Sequence, residues 1–262
     1  MSQLKTIVVM PGYNAEATFQ RTILDIPFNY VDEIIFVDDA STDGTINELQ
    51  TFCSKNSELT DSMEVYKNNP EKILLTIHVH KKNLGYGGNQ KKCYQLALDH
   101  GADIIVMLHP DYQYDPKLIK YFVEYIKDGY FDVVLGSRIR SRMETLAGGM
   151  PVYKYYSNRI LSFIENMATG QNLSEWHTGM RAYKKEVLEN IEYEKFSDDF
   201  VFDTQMLFSI VEKRYLIGDI PVPVRYFKGA SSINFKRSFK YGIYTVFETI
   251  KFLFRKIINK KT

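Results

Sequence analysis

The chain has 262 residues, 45% hydrophobic and 25% charged, enough for one large globular domain with a sizeable core, and this composition excludes a disordered chain. Nineteen Tyr and 17 Phe suit a carbohydrate or lipid binder as well as an ordinary core. The net charge of +1 conceals an asymmetry, because residues 236–262 carry eight Lys or Arg against one acid, Glu248, and the rest of the chain is acidic.

In chain order, residues 6–10 and 33–37 are short apolar runs suited to buried parallel strands, each followed by turn residues and a helical pattern. Residues 73–79, 104–108 and 133–136 repeat the pattern, with helices predicted over 88–99 and 117–127. Strand and helix in alternation predict an α/β fold with a parallel sheet and right-handed crossovers. Ligands of such sheets sit beyond the carboxyl ends of the strands. Residues 54–72 are polar and break the rhythm, so a surface excursion is expected there. Beyond Gly136 come a loop with Gly148 and Gly149, a helix over 152–167, a strand over 180–183, a helix over 199–212, and short strands over 216–220 and 222–226.

In the tail, Phe239, Ile243, Phe247, Ile250, Phe254 and Ile257 recur at helical steps beside Lys240, Tyr244, Lys251 and Arg255. Such a cationic amphipathic helix either packs on the protein's own core or lies in the interface of an anionic membrane. No apolar run approaches the roughly 20 residues that span a bilayer. Cys53 and Cys93 fall in helical segments and no signal peptide precedes the first strand, so a reduced, cytosolic compartment is expected. The expected organisation is one domain over 1–235, with a nucleotide half to about 136 and an acceptor half over 137–235, then the basic helix over 236–262.

Four loops after strands carry unusual residues: MPGYNAE (10–16), VDDASTDGT (37–45), NLGYGGN (83–89) and HPDYQYDP (109–116). A helix cap needs one carboxylate, yet Asp38, Asp39 and Asp43 crowd together. Carboxylates at a strand end also accept from nucleobase N–H groups or ribose hydroxyls. Arg138 follows a strand and Gly136, where a guanidinium clamps phosphate.

The order PxYNxE, VDDxSxDGT, NxGxGxN, DYQ and GSR resembles the family 2 glycosyltransferases of the GT-A fold, in particular the dolichyl- or polyprenyl-phosphate mannosyl- and glucosyltransferase branch, over roughly residues 4–230. The resemblance implies a Rossmann-like, mostly parallel sheet flanked by helices, a nucleotide-sugar donor, and Mg²⁺ or Mn²⁺. It places Pro11, Tyr13 and Glu16 in the first nucleotide-contacting loop, and Val37, Asp38, Asp39 and Gly85 around the base and ribose. Asp111 and Gln113 fall on the metal side, also near the nucleotide, and His109 stands where the family's metal loop has its first Asp. Three readings of His109 stay open: a ligand acceptable to Mn²⁺, a hydrogen-bond donor to phosphate, or a structural residue. The stretch HTGMRAY, with Arg181, resembles the segment that frames sugar and acceptor. SDDFVFDTQML puts Asp203 on the family's acid, with Asp199 and Asp198 as candidates for a base. VRYFKGASSINF resembles a closing loop, with Arg225, Lys228, Ser231 and Ser232 toward the diphosphate or the acceptor phosphate.

These residues frame one chemical question. Cleaving a sugar–phosphate bond builds negative charge on the leaving diphosphate, which a hard cation offsets. A hydroxyl acceptor needs a general base, whereas a lipid phosphate, with its second pKa of about 6, is already ionised. The expectation is inverting transfer of a hexose from a UDP- or GDP-sugar to a polyprenyl phosphate, by a peripheral protein at the cytoplasmic face of a membrane. Two alternatives stand beside it: transfer to a saccharide or glycolipid hydroxyl in cell-surface polysaccharide synthesis, and a non-catalytic nucleotide-sugar binder with a degenerate metal loop. The expected partners are these ligands and a membrane surface, not nucleic acid; a second copy of the chain or a membrane-protein partner is left open.

Overall fold

The structure, a computed structural model, describes residues 4–56, 62–66, 72–223, 225–226 and 235–259. β1 (Thr6–Gly12) is buried along its whole length at the middle of the sheet, which is why its sequence is a continuous apolar run instead of an alternation. It is followed by α1 (Phe19–Leu24), β2 (Glu33–Asp38), α2 (Thr45–Asn56), β3 (Ser62–Tyr66), β4 (Lys72–Val79), α3 (Tyr86–Asp99), β5 (Ile104–Met107) and α4 (Ile119–Lys127). The second half holds β6 (Val133–Ser137), α5 (Arg142–Ala147), α6 (Val152–Thr169), β7 (Arg181–Lys184), α7 (Lys185–Glu189), α8 (Phe202–Glu212), β8 (Ile217–Pro221) and α9 (Phe235–Asn259).

The strands form one sheet in the order β3-β4-β2-β1-β5-β7-β6-β8. β1 pairs in parallel with β2 and β5, and β2 with β4. The expected parallel sheet is therefore realised across β4, β2, β1 and β5, but β7 runs antiparallel between β5 and β6, and β3 runs antiparallel on the β4 edge. β1, β2, β4, β5 and β6 end on one edge, so the loops that follow them meet there. The two faces of the sheet bury separate cores. Val8, Met10 and Phe36 pack with Phe19 and Phe122, while Ile7 and Val9 pack with Tyr94, Phe202 and Met206. α4 illustrates the local logic: Asp115 caps the turn that leads into it, and Ile119, Phe122, Val123 and Ile126 repeat at helical spacing and are buried.

Two expectations are corrected. Part of the polar stretch 54–72 forms the edge strand β3, whose pairing with β4 local polarity does not reveal. Among the described residues no strand follows β8, because Pro221 and Pro223 lack the N–H groups a further ladder needs.

α9 packs against α6 and α8. Thr245, Glu248, Thr249 and Phe252 are buried, and Phe252 stacks on Phe208 of α8 with ring centroids 4.9 Å apart. Phe239, Ile243, Phe247, Ile250, Phe254 and Ile257 all point to solvent. The helix thus docks on the protein through a mixed face and leaves its apolar stripe uncovered. No helix among the described residues is long and apolar enough to cross a membrane.

Both cysteines are buried and free. Burial pushes the Cys53 thiol up to about 11 and raises that of Cys93 as well. Neither is expected to react with a disulfide reagent at about pH 8 in the native protein, because the thiolate is the nucleophile. Both should react after denaturation; rapid labelling of the folded protein would contradict this burial.

Candidate functional site

A cavity of about 860 Å³ opens at the carboxyl edge of the sheet, and all four post-strand loops reach it. The carboxylates in these loops stitch the loops internally and to one another. Glu16 accepts from the Gly44 N–H (2.9 Å), Asp43 from the Thr45 N–H (3.0 Å), and Asp38 from the Ser41 N–H (2.8 Å). The Thr42 N–H donates to Asn14 Oδ1 at 2.8 Å, closing the first loop on the second. Asp39 ties the second loop to the third by accepting from the Leu84 (2.7 Å) and Gly85 (3.0 Å) N–H groups. Burial raises its pKa and these two N–H groups oppose the rise.

Gly85 has φ +86°, and a Cβ there would lie 2.8 Å from the Asp198 carbonyl, so only glycine fits this junction. Of the residues expected at the nucleotide, Pro11, Tyr13, Asp39, Gly85 and Asp111 line the cavity. Glu16, Val37 and Asp38 do not line it. The first and last serve the stitching just described, and Val37 is a core residue whose carbonyl accepts from Asn89 at 3.0 Å.

In the HPDYQYDP loop, Tyr112 adopts φ +57°, a strained conformation for a bulky residue. The surroundings hold it there: the Arg21 guanidinium lies 4.0 Å over its ring, that of Arg225 lies 5.1 Å away, and its hydroxyl bonds Asp25. This bend presents Asp111 and Gln113 to the cavity, with the Gln113 amide donating to Asp111 at 2.8 Å. Burial raises the Asp111 pKa, against the pull of His109.

His109 is stacked on Tyr86, its Nε2 is 3.3 Å from the Tyr86 hydroxyl, and its ring bonds the Pro11 carbonyl. Burial lowers its pKa. An imidazole held on both sides by protein partners matches the structural reading best among the three. Among the described residues no group of three His, Cys, Asp or Glu side chains could hold a metal ion. A single carboxylate on a cavity wall still fits Mg²⁺ or Mn²⁺, which keep waters and take further oxygens from substrate phosphates. Asp111 is the residue that would hold such an ion.

Behind the cavity wall lies a buried ion pair. Arg181 is fully buried, 3.2 Å from Asp203 Oδ2, and also bonds the Thr178 carbonyl at 2.8 Å. Asp203 further accepts from the Tyr86 hydroxyl (2.8 Å) and from Gln90 (3.3 Å). The expected acceptor contact at Arg181 thus meets a guanidinium that lies off the cavity. Asp203 lines the cavity with both carboxylate oxygens engaged. Asp199, more than half exposed at the cavity rim, pairs with Lys240 of α9 at 3.3 Å, and Asp198 pairs with Lys91 at 2.7 Å.

Arg138 lies on the cavity wall with most of its donors in use. It bonds Glu175 through Nε (3.0 Å) and Nη2, the His177 carbonyl through Nη2 (2.5 Å), and the Tyr226 hydroxyl through Nη1 (3.1 Å). One Nη1 hydrogen remains for a ligand. Arg225 pairs with Asp115 at 2.6 Å and does not line the cavity. Lys228, Ser231 and Ser232 lie outside the described residues. Sequence reasoning missed Tyr86, Lys154, His177 and the α9 residues Arg237 and Tyr241, all of which line the cavity. Only Tyr86, inside NLGYGGN, and His177, the first residue of HTGMRAY, had a local signal.

The buried pair has a consequence for stability. Asp203→Asn keeps the shape but leaves Arg181 without its counter-charge, so the unfolding free energy should fall by about 3 kcal/mol. Asp199→Asn, at an exposed pair, should change it by less than about 1 kcal/mol. Denaturant melts of the two variants check this, and equal losses would refute the distinction.

Comparison with known proteins places this geometry. The family model of Glycosyl transferase family 2 matches residues 7–192. A UDP-N-acetylglucosamine–dolichyl-phosphate N-acetylglucosaminyltransferase of Methanococcus voltae is 28% identical over 226 residues, covering 84% of this chain and 85% of the relative. A dolichyl-phosphate hexose transferase of Haloferax volcanii is 28% identical over 131 residues, 50% of this chain and 54% of that one. Among solved structures, glucosyl-3-phosphoglycerate synthase of Mycobacterium tuberculosis, in complex with Mn²⁺, UDP and phosphoglyceric acid, superposes with a TM-score of 0.65 at 16% identity. That match covers 95% of this chain and 79% of that one, and carries the GT-A-like fold alone. With the family model spanning most of the chain and the four loops converging on one cavity, the chain belongs to glycosyl transferase family 2 and is a glycosyltransferase.

Proposed function

We propose that this chain moves a hexose, with inversion, from a UDP- or GDP-sugar to a polyprenyl phosphate at a membrane surface. The observation that carries this reading is the state of the acids in the cavity. Asp198, Asp199 and Asp203 are each paired with a cation, Lys91, Lys240 and Arg181. A hydroxyl acceptor would need one of them free as a base, and a phosphate acceptor would not. The names of the two curated relatives, both acting on dolichyl phosphate, support the same acceptor class.

The walls of the cavity support a lipid acceptor as well. α6 and α9 both line it, and both turn apolar side chains outward: Tyr156, Ile160, Phe163 and Met167 from α6, and Ile243, Phe247 and Phe254 from α9. An uncovered apolar face with Lys and Arg along its flanks suits the interface of an anionic bilayer. On this reading the protein is peripheral, at the cytoplasmic face.

The chemistry is a single in-line displacement. The donor's base and ribose lie against Tyr13, Pro11 and Asp39, and its diphosphate lies toward Asp111. A divalent cation held by Asp111 and the diphosphate would offset the charge that grows on the leaving group. An acceptor phosphate oxygen forms a bond to the anomeric carbon as the bond from that carbon to the diphosphate oxygen breaks, and the nucleoside diphosphate departs. No proton need be removed, because the attacking oxygen is already anionic.

The test is transfer of labelled sugar to polyprenyl phosphate with a panel of UDP- and GDP-hexoses and Mg²⁺ or Mn²⁺. Lipid-linked product should form, and EDTA or Asp111→Ala should abolish it; no transfer with any donor would leave only nucleotide-sugar binding. Asp199→Asn should cost less than about 10-fold in turnover, whereas loss of a general base costs about 10²–10⁴-fold. A loss of the latter size would favour the hydroxyl acceptor. For the membrane reading, Ile243→Glu and Phe254→Glu alter exposed positions and should lower binding to anionic liposomes. Their binding should also weaken with salt, as Debye screening predicts; unchanged sedimentation with liposomes would rule out α9 as the contact.

A further inference from the structure

The loop that carries Asp111 is gripped from behind on both sides of that residue. Before it, the Thr22 hydroxyl of α1 donates to the Pro110 carbonyl at 3.0 Å. After it, Tyr112 is buried; the Arg21 guanidinium lies 4.0 Å over its ring, that of Arg225 lies 5.1 Å away, and its hydroxyl bonds Asp25 at the end of α1. Pro110, Asp111 and Gln113 line the cavity, whereas Tyr112, Arg21, Asp25 and Arg225 do not. The loop therefore turns one side chain away from the cavity between two that face it.

That turn is strained. Tyr112 has φ +57°, in the left-handed region, where a bulky side chain costs energy and persists only when its surroundings over-determine it. Across the turn the Gln113 N–H donates to Asp111 Oδ1 at 3.1 Å, the arrangement in which a carboxylate is held by the amide two residues on. A change of φ and ψ at Tyr112 would rotate the very amide that Asp111 accepts from. The direction of the Asp111 carboxylate is thus set by the backbone of Tyr112.

What holds the strain comes from two distant parts of the chain. Arg21 and Thr22 lie in α1 and Asp25 caps its end, whereas Arg225 follows β8. Arg225 is fixed to the same loop a second time, by its pair with Asp115 at 2.6 Å. Its Nη1 is buried with no hydrogen-bond partner among the described residues, so the electron-rich ring of Tyr112 stands in for an acceptor there. Because none of these side chains lines the cavity, the cluster acts on the site only through the loop it holds.

Resting on the reading above that Asp111 holds a divalent cation against the donor diphosphate, we propose that Tyr112 is a positioning residue for that ion. Its ring, held by Arg21 and Arg225, keeps the turn that aims the Asp111 carboxylate into the cavity. A ligand fixed by partners behind it loses less freedom on binding than a mobile one, so the clamp raises affinity for the ion. Through Arg225, that affinity depends on a side chain that touches neither the ion nor the cavity.

The experiment titrates Mn²⁺ into the full chain with UDP and with GDP, and reads the free ion by electron paramagnetic resonance. Tyr112→Leu should weaken Mn²⁺ binding about 10- to 100-fold, the loss expected when a partner behind a metal ligand is removed. Tyr112→Phe keeps the ring and should recover most of the affinity. Arg225→Met should weaken binding about 3- to 30-fold, as the loss of one cation–π contact does. Since Arg225 acts through Tyr112, the double variant should lose no more than Tyr112→Leu alone. Each variant should still take up as much Mn²⁺ per chain at saturation as wild type, which an unfolded protein would not. Arg225→Met alters a partly exposed side chain and decides the question should Tyr112→Leu not fold. Unchanged Mn²⁺ affinity in Arg225→Met and Tyr112→Leu would overturn the proposal and leave the cluster a purely structural one. Additive losses in the double variant would overturn it too, by giving Arg225 a role independent of Tyr112. If the wild type takes up no Mn²⁺ with either nucleotide, the metal reading of Asp111 falls and this role of Tyr112 with it, a failure distinct from wild-type binding that survives the substitutions.

Discussion

The buried pair of Arg181 and Asp203 is the interaction on which the rest of the site depends. Arg181 opens β7, the strand that runs antiparallel between β5 and β6, and Asp203 lies in the first turn of α8. Their 3.2 Å contact fixes α8 over the sheet. Through its remaining acceptor capacity Asp203 takes the Tyr86 hydroxyl and Gln90 of α3, and Tyr86 in turn stacks on His109. One desolvated pair therefore links elements of the second half of the chain to α3 and the β5 loop of the first. A charge buried there persists only while its partner is in place.

Around that pair, carboxylates are used chiefly as mortar. Glu16 and Asp39 accept from backbone N–H groups of neighbouring loops, and Asp38 and Asp43 from those of their own loop. Loops at a strand edge have few backbone partners of their own, and an ionised carboxylate satisfies two N–H groups at once. Rigid loops are what a nucleotide site needs, since ordering them on binding would subtract from affinity. In consequence few acids stay free, and Asp111 is one that still lines the cavity.

α6 and α9 give the cavity a second character. Each helix faces the cavity with polar or cationic groups and faces solvent with large apolar ones. Phe252 and the buried Thr245, Glu248 and Thr249 hold α9 to the protein, so its docking does not consume the apolar stripe. Two adjacent helices with this division place an apolar surface next to polar and cationic groups, and the proposed acceptor combines those two chemistries.

Much of this was legible in the sequence. The apolar runs at 6–10, 33–37, 104–108 and 133–136 specify the strands, because burial on both faces demands continuous hydrophobic residues, and the loops after them hold the motifs that mark family 2. The edge strand β3 was not legible, since a polar stretch becomes a strand only by pairing with β4. The division of labour among similar side chains was not legible either. Asp39 reaches the cavity and Asp38 does not, and Arg138 is engaged by Glu175 while Lys154 has no carboxylate partner among the described residues. The sequence determined which residues stand at the strand ends, through local patterning. Which of them are neutralised was decided by partners 37 residues away for Arg138 and 41 for Lys240, brought within hydrogen-bond distance only by tertiary packing.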